Sequence, residues 1–310
     1  MRSRSVSRRA GPAARAALLA GAVLASGLLS SCGGYAAASH RGGYPTGPDA
    51  GSGATHPSAA EQATTLAATE GYRRYLLTSA ERLTGELTTI ARAASRGDRS
   101  GARRAEQAAQ GDFDALRADI APDSATAIQL DGEAWSVGAS PFTGLHVVER
   151  DLWATQDLDA AGRVAEGLAA LAVQTGYVFS RAVLTPAEML AEAQAQLEWA
   201  VDVPLEGREE LYSHLDLADV VASAAAARTA LSLSEPLGRL VAPAAVRTCT
   251  RRFAVLGAAL RSLGSPATRT DATIPLAAWR SVAEALDAAD GAVGVLEGRV
   301  QGFGSGRLYA

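Results

Sequence analysis

Two histidines in the sequence lie close to carboxylates, each where a helix is predicted to begin. The first belongs to the segment SPFTGLHVVERDLW, residues 140–153, in which His146 and Glu149 are three positions apart. On an α-helix this spacing puts both side chains on one face. An imidazole nitrogen and a carboxylate oxygen on one face can ligate the same cation. The pair is also compatible with two polar residues at a helix start that bond to the backbone or to each other.

The second histidine, His214, belongs to the segment GREELYSHLDLADV, residues 207–220, and Glu209 lies five positions before it. A simpler interpretation is that Ser213 caps a helix, with Asp216 completing a capping box. His146 and His214 are the only histidines after residue 57. Because both have acidic neighbours, the two segments together favour a metal site over a coincidence.

The composition predicts an all-α fold. The 310 residues are 48% hydrophobic and 5% aromatic, and alanine is the commonest residue. Such sequence favours helix over strand, and no segment alternates as a strand would. Capping boxes are predicted at Ser58 to Glu61 and at Thr185 to Glu188. We expect an up-and-down assembly of helix bundles, with helices near 58–95, 100–120, 157–182, 187–201, 212–233, 237–264 and 275–300, and a short helix through His146.

Residues 1–31 have the features of a bacterial lipoprotein signal peptide. An arginine-rich start is followed by an apolar run from 16 to 29, which is shorter than a typical transmembrane helix. The next residues match a lipobox, in which Cys32 becomes the lipidated first residue. An ordinary signal peptide with a chance cysteine is the alternative. Residues 32–57 predict a flexible tether, and 58–310 the folded helical domain.

The charge of the exported chain excludes one class of partner. Removal of residues 1–31 takes away five arginines and no acid, so the formal charge falls from −4 to −9. A protein this acidic has no electrostatic reason to hold nucleic acid, but it can attract cations. We expect a protein on the outer face of the cytoplasmic membrane, or in the periplasm, that touches the membrane only through its lipid anchor.

Together, the two histidine segments resemble the imelysin/EfeO family of bacterial exported metal-binding proteins. Residues 140–153 are similar to that family's G-x-H-x-x-E-x-x-L-[WF] segment. Residues 207–220 are similar to its Gly-Glu-Glu-rich turn followed by Tyr-Ser-His-x-Asp-Leu. The order and separation of the segments also agree, so the resemblance covers roughly residues 65 to 300. It implies two packed four-helix bundles with a cleft between them.

The resemblance also implies a function and a set of ligands. It implies the extracytoplasmic iron-binding component of an EfeUOB-type uptake system, which passes its ion to a membrane permease and works with a haem peroxidase. His146 and Glu149 match the family's H-x-x-E metal ligands, and Glu209 and His214 match positions near the cleft. Iron, as Fe²⁺ or Fe³⁺, is the implied ion, although a nitrogen- and oxygen-rich ligand set also suits Zn or Mn.

The sequence departs from the family pattern in two places. Many members carry an N-terminal cupredoxin-like domain, whereas this chain has a short tether there, so it resembles the shorter variants. The family's Tyr-Glu-Arg-Ile-Glu-Pro segment is matched here by residues 113–118, which keep one acid as Asp114 and put Arg117 in place of the second. The site would then lose one ligand and gain a nearby positive charge. We expect metal affinity or preference to differ, or binding to be lost.

Two other functions stay open. A metal-free binding or scaffold lipoprotein would keep the bundle and lose the ion. A metallopeptidase is disfavoured, because the zincin pattern H-E-x-x-H needs two histidines four apart with a glutamate directly after the first. In this chain Val147 follows His146, and its helix carries no second histidine. We therefore expect a binding protein rather than an enzyme.

Overall fold

The computed structural model describes residues 57–120, 124–132, 142–266 and 268–303. Within these ranges the chain forms nine α-helices and no strand, so the all-α prediction is confirmed. Short 3₁₀ turns follow α6, precede α9 and end the described chain. The helices are α1 (Ala59–Ser95), α2 (Arg99–Arg117), α3 (Ala125–Asp131), α4 (Leu145–Trp153), α5 (Leu158–Ser180), α6 (Pro186–Asp202), α7 (Asp216–Val241), α8 (Pro243–Ser262) and α9 (Leu276–Val300).

Local sequence signals fix where several of these helices begin. Ser58 and Glu61 form the predicted capping box at the start of α1. Thr185 and Glu188 form the second one, with Pro186 at the first helical position of α6. These side chains satisfy backbone N–H groups that have no partner inside the helix.

The helices pack as two groups that share one hydrophobic core. In the first group α1 packs along α2 and α5, α4 packs on α5 and α2, and the short α3 contacts α5 and α4. In the second group α6 packs on α7 and α9, and α8 packs on α9 and α7. The groups meet mainly where α7 contacts α1 and α2. The helices therefore pack as the bundles that we expected.

The boundary between α7 and α8 differs from the prediction. We expected a break near Pro236, but α7 continues through it and ends at Val241. Pro236 is exposed, whereas Leu237 and Gly238 beside it are buried. Packing on both sides of the proline offsets the loss of one backbone hydrogen bond. The break falls instead at Ala242, which has φ −149° and ψ 58° and precedes Pro243.

Several predictions concern the N-terminal part of the chain. The signal peptide, the lipidated Cys32 and nearly all of the tether lie outside the described residues. Among the residues that are described, no helix is both long and apolar enough to cross a membrane.

Candidate metal centre

Buried acidic side chains collect where α2, α3, α4 and α7 approach one another. We call this set the acidic cluster, and it includes one histidine. The pKa values of Glu106, Asp114, Glu210 and Asp219 are raised in part by acidic neighbours within the cluster. Burying a carboxylate without a partner is costly, so the cluster needs protons or cations. Its members, all buried, are Glu106, Asp114, Asp131, His146, Glu149, Glu209, Glu210, Asp216 and Asp219.

Three members of the acidic cluster form a candidate metal site. Asp131, His146 and Glu209 each offer one ligand atom, and these atoms lie within 4.8 Å of one another. His146 Nε2 lies 3.5 Å from Asp131 Oδ1. Within the described part of the chain, neither of these two atoms has a hydrogen-bond partner. One imidazole nitrogen with two carboxylate oxygens can hold an ion such as Fe, Mn or Zn. We call these residues the triad.

The junction between α3 and α4 brings Asp131 to His146. Gly144 precedes α4 with φ 65° and ψ −133°, and a Cβ there would lie 1.9 Å from the Leu130 carbonyl oxygen. Thr143 N donates to Gly132 O at 2.8 Å, and Gly132 N donates to Thr143 Oγ1 at 3.1 Å. These two hydrogen bonds therefore hold the end of α3 against the residue that precedes Gly144 and α4.

Apolar side chains surround His146 and Glu149 on the buried face of α4. Leu145, Val148 and Leu152 are buried, as the helical pattern predicts. They hold the helix against α5 and α2. His146 and Glu149, three positions apart, are buried as well. Apolar packing thus fixes a helix that carries two functional side chains into the interior.

Glu149 fixes the loop that carries Glu209. Its Oε1 accepts hydrogen bonds from the backbone N–H groups of Tyr212 and Ser213, both at 2.7 Å. From the other side, Asp216 Oδ1 accepts from Glu209 N at 3.1 Å and from Glu210 N at 3.2 Å. Two carboxylates therefore hold the backbone between α6 and α7 in place. Oε2 of Glu149 has no hydrogen-bond partner among the described residues.

Arg117 contacts two residues of the triad. Its Nη2 donates to Asp131 Oδ2 at 2.6 Å, to Asp114 Oδ1 at 3.0 Å and, over a short distance, to Glu209 Oε1. Gln110 Nε2 donates to the same three oxygens, at 3.0 to 3.4 Å. The positive charge that the sequence predicted near the site thus lies directly against its carboxylates.

Aromatic rings flank the Arg117 guanidinium. Its central carbon lies 3.9 Å from the centroid of the Trp199 ring and 4.8 Å from that of Phe113. Cation–π contacts of this kind stabilise a desolvated arginine. The side chain is 14% exposed, whereas those of Asp114, Asp131 and Glu209 are fully buried. Arg117 therefore reaches from the carboxylates toward solvent.

Burial and neighbouring charges act in opposite directions on the carboxylates. Burial raises the pKa of Asp114 to about 7, although Arg117 partly offsets it. Burial also acts on Asp131, but the electrostatic effect of its neighbours His146 and Arg117, together with hydrogen bonds from Gln110 and Arg117, outweighs it and lowers the pKa. Asp131 is therefore an anion at neutral pH.

Other members of the acidic cluster favour the protonated form. Burial, together with the charges of Glu149 and Asp131, raises the pKa of Glu106 well above its ordinary value. Burial raises the pKa of Asp219 in the same way, with Asp114 as its strongest acidic neighbour. Neither oxygen of Glu106 has a hydrogen-bond partner within the described ranges. A cation here would replace protons as the means of neutralising the carboxylates.

The structure brings together four of the five metal-site residues predicted from the sequence. His146 and Glu209 belong to the triad, Asp114 lies beside it, and Glu149 fixes the loop that bears Glu209. His214 is not brought into the acidic cluster. Its side chain is exposed, and its backbone has φ 59° and donates from N to Glu210 O at 3.0 Å.

The capping role predicted for Ser213 and Asp216 is wrong. α7 begins at Asp216, with Leu215 before it and no side-chain cap. Ser213 Oγ donates to Glu210 Oε2, and Asp216 accepts from the backbone of the preceding loop. Asp216 serves the loop rather than the helix start, because buried backbone N–H groups of the loop need acceptors. Ser213 makes its side-chain hydrogen bond within the same loop.

Sequence reasoning missed Asp131, Glu106 and Asp219. A signal for Glu106 was present, because residues 106, 110, 114 and 117 follow the helical spacing along one face of α2. Asp131 carried no such signal, since it ends a helix of only seven residues. Its partners lie in other helices and in a loop.

No protein-family model matches this chain, and the search of curated proteins returns no match. The resemblance to the imelysin/EfeO family therefore rests on residues 140–153 and 207–220, with their order and helical surroundings.

Proposed function

We propose that this protein is the extracytoplasmic metal-binding component of an iron uptake system. The observation that carries the proposal is the triad, which unites His146 from one histidine segment with Glu209 from the other. These are the two segments that resemble the imelysin/EfeO family. Each segment therefore contributes one potential ligand to the same buried site.

Unpartnered buried atoms support metal binding. His146 Nε2, Asp131 Oδ1, Glu149 Oε2 and both Glu106 carboxylate oxygens have no hydrogen-bond partner among the described residues. Leaving such groups buried and unsatisfied costs free energy, about 1–3 kcal/mol for each group and more for charged ones. A bound cation would recover part of that cost by coordinating the atoms.

Iron is the ion that we propose, on the strength of the resemblance. The triad offers nitrogen and oxygen but no thiolate, which also suits Mn and Zn. In this proposal the protein is lipid-anchored through Cys32 and passes iron to a membrane permease, with a haem peroxidase as the second partner. It binds and delivers the ion and is not a peptidase.

The function is tested by titrating the purified chain with Fe²⁺, Mn²⁺ and Zn²⁺ in a calorimeter, with iron under anaerobic conditions. We expect one ion per chain, and at least a tenfold loss of affinity in His146→Asn. The matched control is His214→Asn, which changes the exposed histidine to a residue that tolerates positive φ. It is expected to bind like the wild type. Equal affinity in both variants would contradict the proposed site.

A metal-free scaffold is the second candidate, and Arg117 is the observation that favours it. A guanidinium that contacts Asp114, Asp131 and Glu209 already supplies a positive charge to these carboxylates. In this alternative the arginine has replaced the ion. The same titration separates the candidates, since a scaffold of this kind binds none of the three ions.

A further inference from the structure

Arg117 and a metal ion would need the same carboxylates. Two of the three ligands of the triad, Asp131 and Glu209, already accept hydrogen bonds from Arg117 Nη2. An ion held by the triad would thus lie close to a guanidinium in a buried site, where like charges repel strongly. Each cation is therefore expected to weaken the binding of the other by these two residues.

The surroundings of Arg117 allow it to give way. It is the member of this hydrogen-bonded group that reaches solvent, with 14% of its side chain exposed. Its long, flexible side chain can withdraw from the carboxylates by changing rotamer. Gln110 donates to the same carboxylates and would stay behind as their neutral partner.

We propose that Arg117 is a resident cation that an incoming metal ion displaces from Asp131 and Glu209. The inference rests on the proposed function, since it concerns the same site. With no metal, the guanidinium stabilises carboxylates that would otherwise be buried without a counter-charge. On metal entry it leaves them, and its return lowers the affinity for the ion and favours release. In a carrier that hands its ion on, this exchange would provide a means of release.

Trp199 provides a reporter for this exchange. The Arg117 guanidinium lies 3.9 Å from its ring centroid, so withdrawal alters the environment of the indole. Metal addition is expected to change tryptophan emission in the wild-type protein. The change is expected to be lost in Trp199→Phe, although the metal still binds, and also in Arg117→Met, where there is no guanidinium to withdraw.

The decisive comparison is the affinity for Mn²⁺ of wild type, Arg117→Met and Arg117→Lys, measured by calorimetry on the purified chain. Arg117→Met removes the charge but keeps an unbranched side chain, and we expect it to bind at least tenfold more tightly, about 1.4 kcal/mol. Arg117→Lys keeps the charge and is expected to stay within threefold of the wild type.

A second variant guards against misfolding. Arg117→Met leaves Asp114 without its cation, so Asp114→Asn/Arg117→Met removes one negative and one positive charge together. Asp114 is not in the triad, so the double variant keeps all three proposed ligands. We expect it to fold, as judged by circular dichroism, and to bind Mn²⁺ at least tenfold more tightly than Asp114→Asn alone.

The possible outcomes separate this inference from the proposed function. Metal binding by the wild type with unchanged or weaker affinity in both Met variants would overturn the displacement and leave the function standing. Binding by the Met variants but not by the wild type would support the displacement and overturn the function. If no variant binds metal, both fail.

Discussion

The two carboxylate oxygens of Asp131 face different partners. Oδ2 accepts from Arg117 and Gln110, whereas Oδ1 points to His146 Nε2 at 3.5 Å. The electrostatic effect of His146 and Arg117, with the hydrogen bonds to Oδ2, overcomes the effect of burial, so the pKa of this carboxyl lies below its ordinary value. Asp131 is thus the residue through which the arginine and the imidazole are linked, and through which a change at one is felt at the other.

A half-buried carboxyl away from the triad, that of Asp119, predicts how stability depends on pH. Burial raises the pKa of Asp119 from its ordinary 3.8 to about 7, although the hydrogen bond from Tyr72 at 2.8 Å opposes this. Between these pH values the folded state holds a proton that the unfolded chain releases. The contribution of Asp119 to the free energy of unfolding is therefore fully present below about pH 4 and is lost as the pH rises to about 7.

Asp119→Asn is therefore expected to stabilise the protein at pH 8 and to change little at pH 4. The amide oxygen still accepts from Tyr72, so the variant removes the charge and keeps the hydrogen bond. Denaturant unfolding of both proteins at the two pH values measures the difference. If the variant is less stable than the wild type at pH 8, the Asp119 anion does not destabilise the folded state and the prediction is wrong.

At the scale of single residues, the sequence predicted the triad only in part. His146 and Glu209 stand in recognisable segments, but Asp131 lies in none. Its role depends on the tertiary approach of α3 to α4, which no local pattern encodes. His214 shows the converse, because acidic neighbours in the sequence did not bring its side chain inside. Neighbours in sequence do not determine which way a loop residue faces.

At the scale of elements, the start of α4 controls the position of His146. Gly144 takes a backbone conformation open almost only to glycine, and a Cβ there would lie 1.9 Å from the carbonyl oxygen of Leu130. No side chain caps this helix. The geometry of one glycine therefore sets the distance between Asp131 and His146.

Gly144→Ala is expected to destabilise the fold by about 3–5 kcal/mol, because a Cβ would clash with backbone as well as strain φ. The matched control is Gly207→Ala, since Gly207 also has positive φ but has open space around its Cβ position. Its expected cost is the conformational one alone, about 1–2 kcal/mol. Urea unfolding measures both. Equal losses of stability in the two variants would mean that the backbone at the α3–α4 junction shifts to make room for the added methyl group.

The elements themselves were largely predictable. The capping boxes at Ser58 and Thr185 set helix starts through local hydrogen bonds, and such signals survive in any tertiary context. The passage of α7 through Pro236 was not predictable, because packing on its buried face outweighs the missing donor. Sequence patterns therefore predict helix boundaries that are set by local hydrogen bonds, and they fail where tertiary packing sets the boundary.

At the scale of the whole molecule, the acidic cluster lies where the two groups of helices meet. α2 and α4 of the first group and the start of α7 from the second all contribute to it. An ion in the triad would join α3, α4 and the loop before α7. Binding is therefore expected to stabilise the fold as well as to fill a site.

The most direct test of the metal site is anomalous X-ray diffraction from crystals of the protein grown with Mn²⁺. We predict one strong anomalous peak in each chain, within bonding distance of His146 Nε2 and of carboxylate oxygens of Asp131 and Glu209. No peak there, while Arg117 still contacts both carboxylates, would contradict the proposed metal site and favour a bundle in which Arg117 is the cation that neutralises these carboxylates.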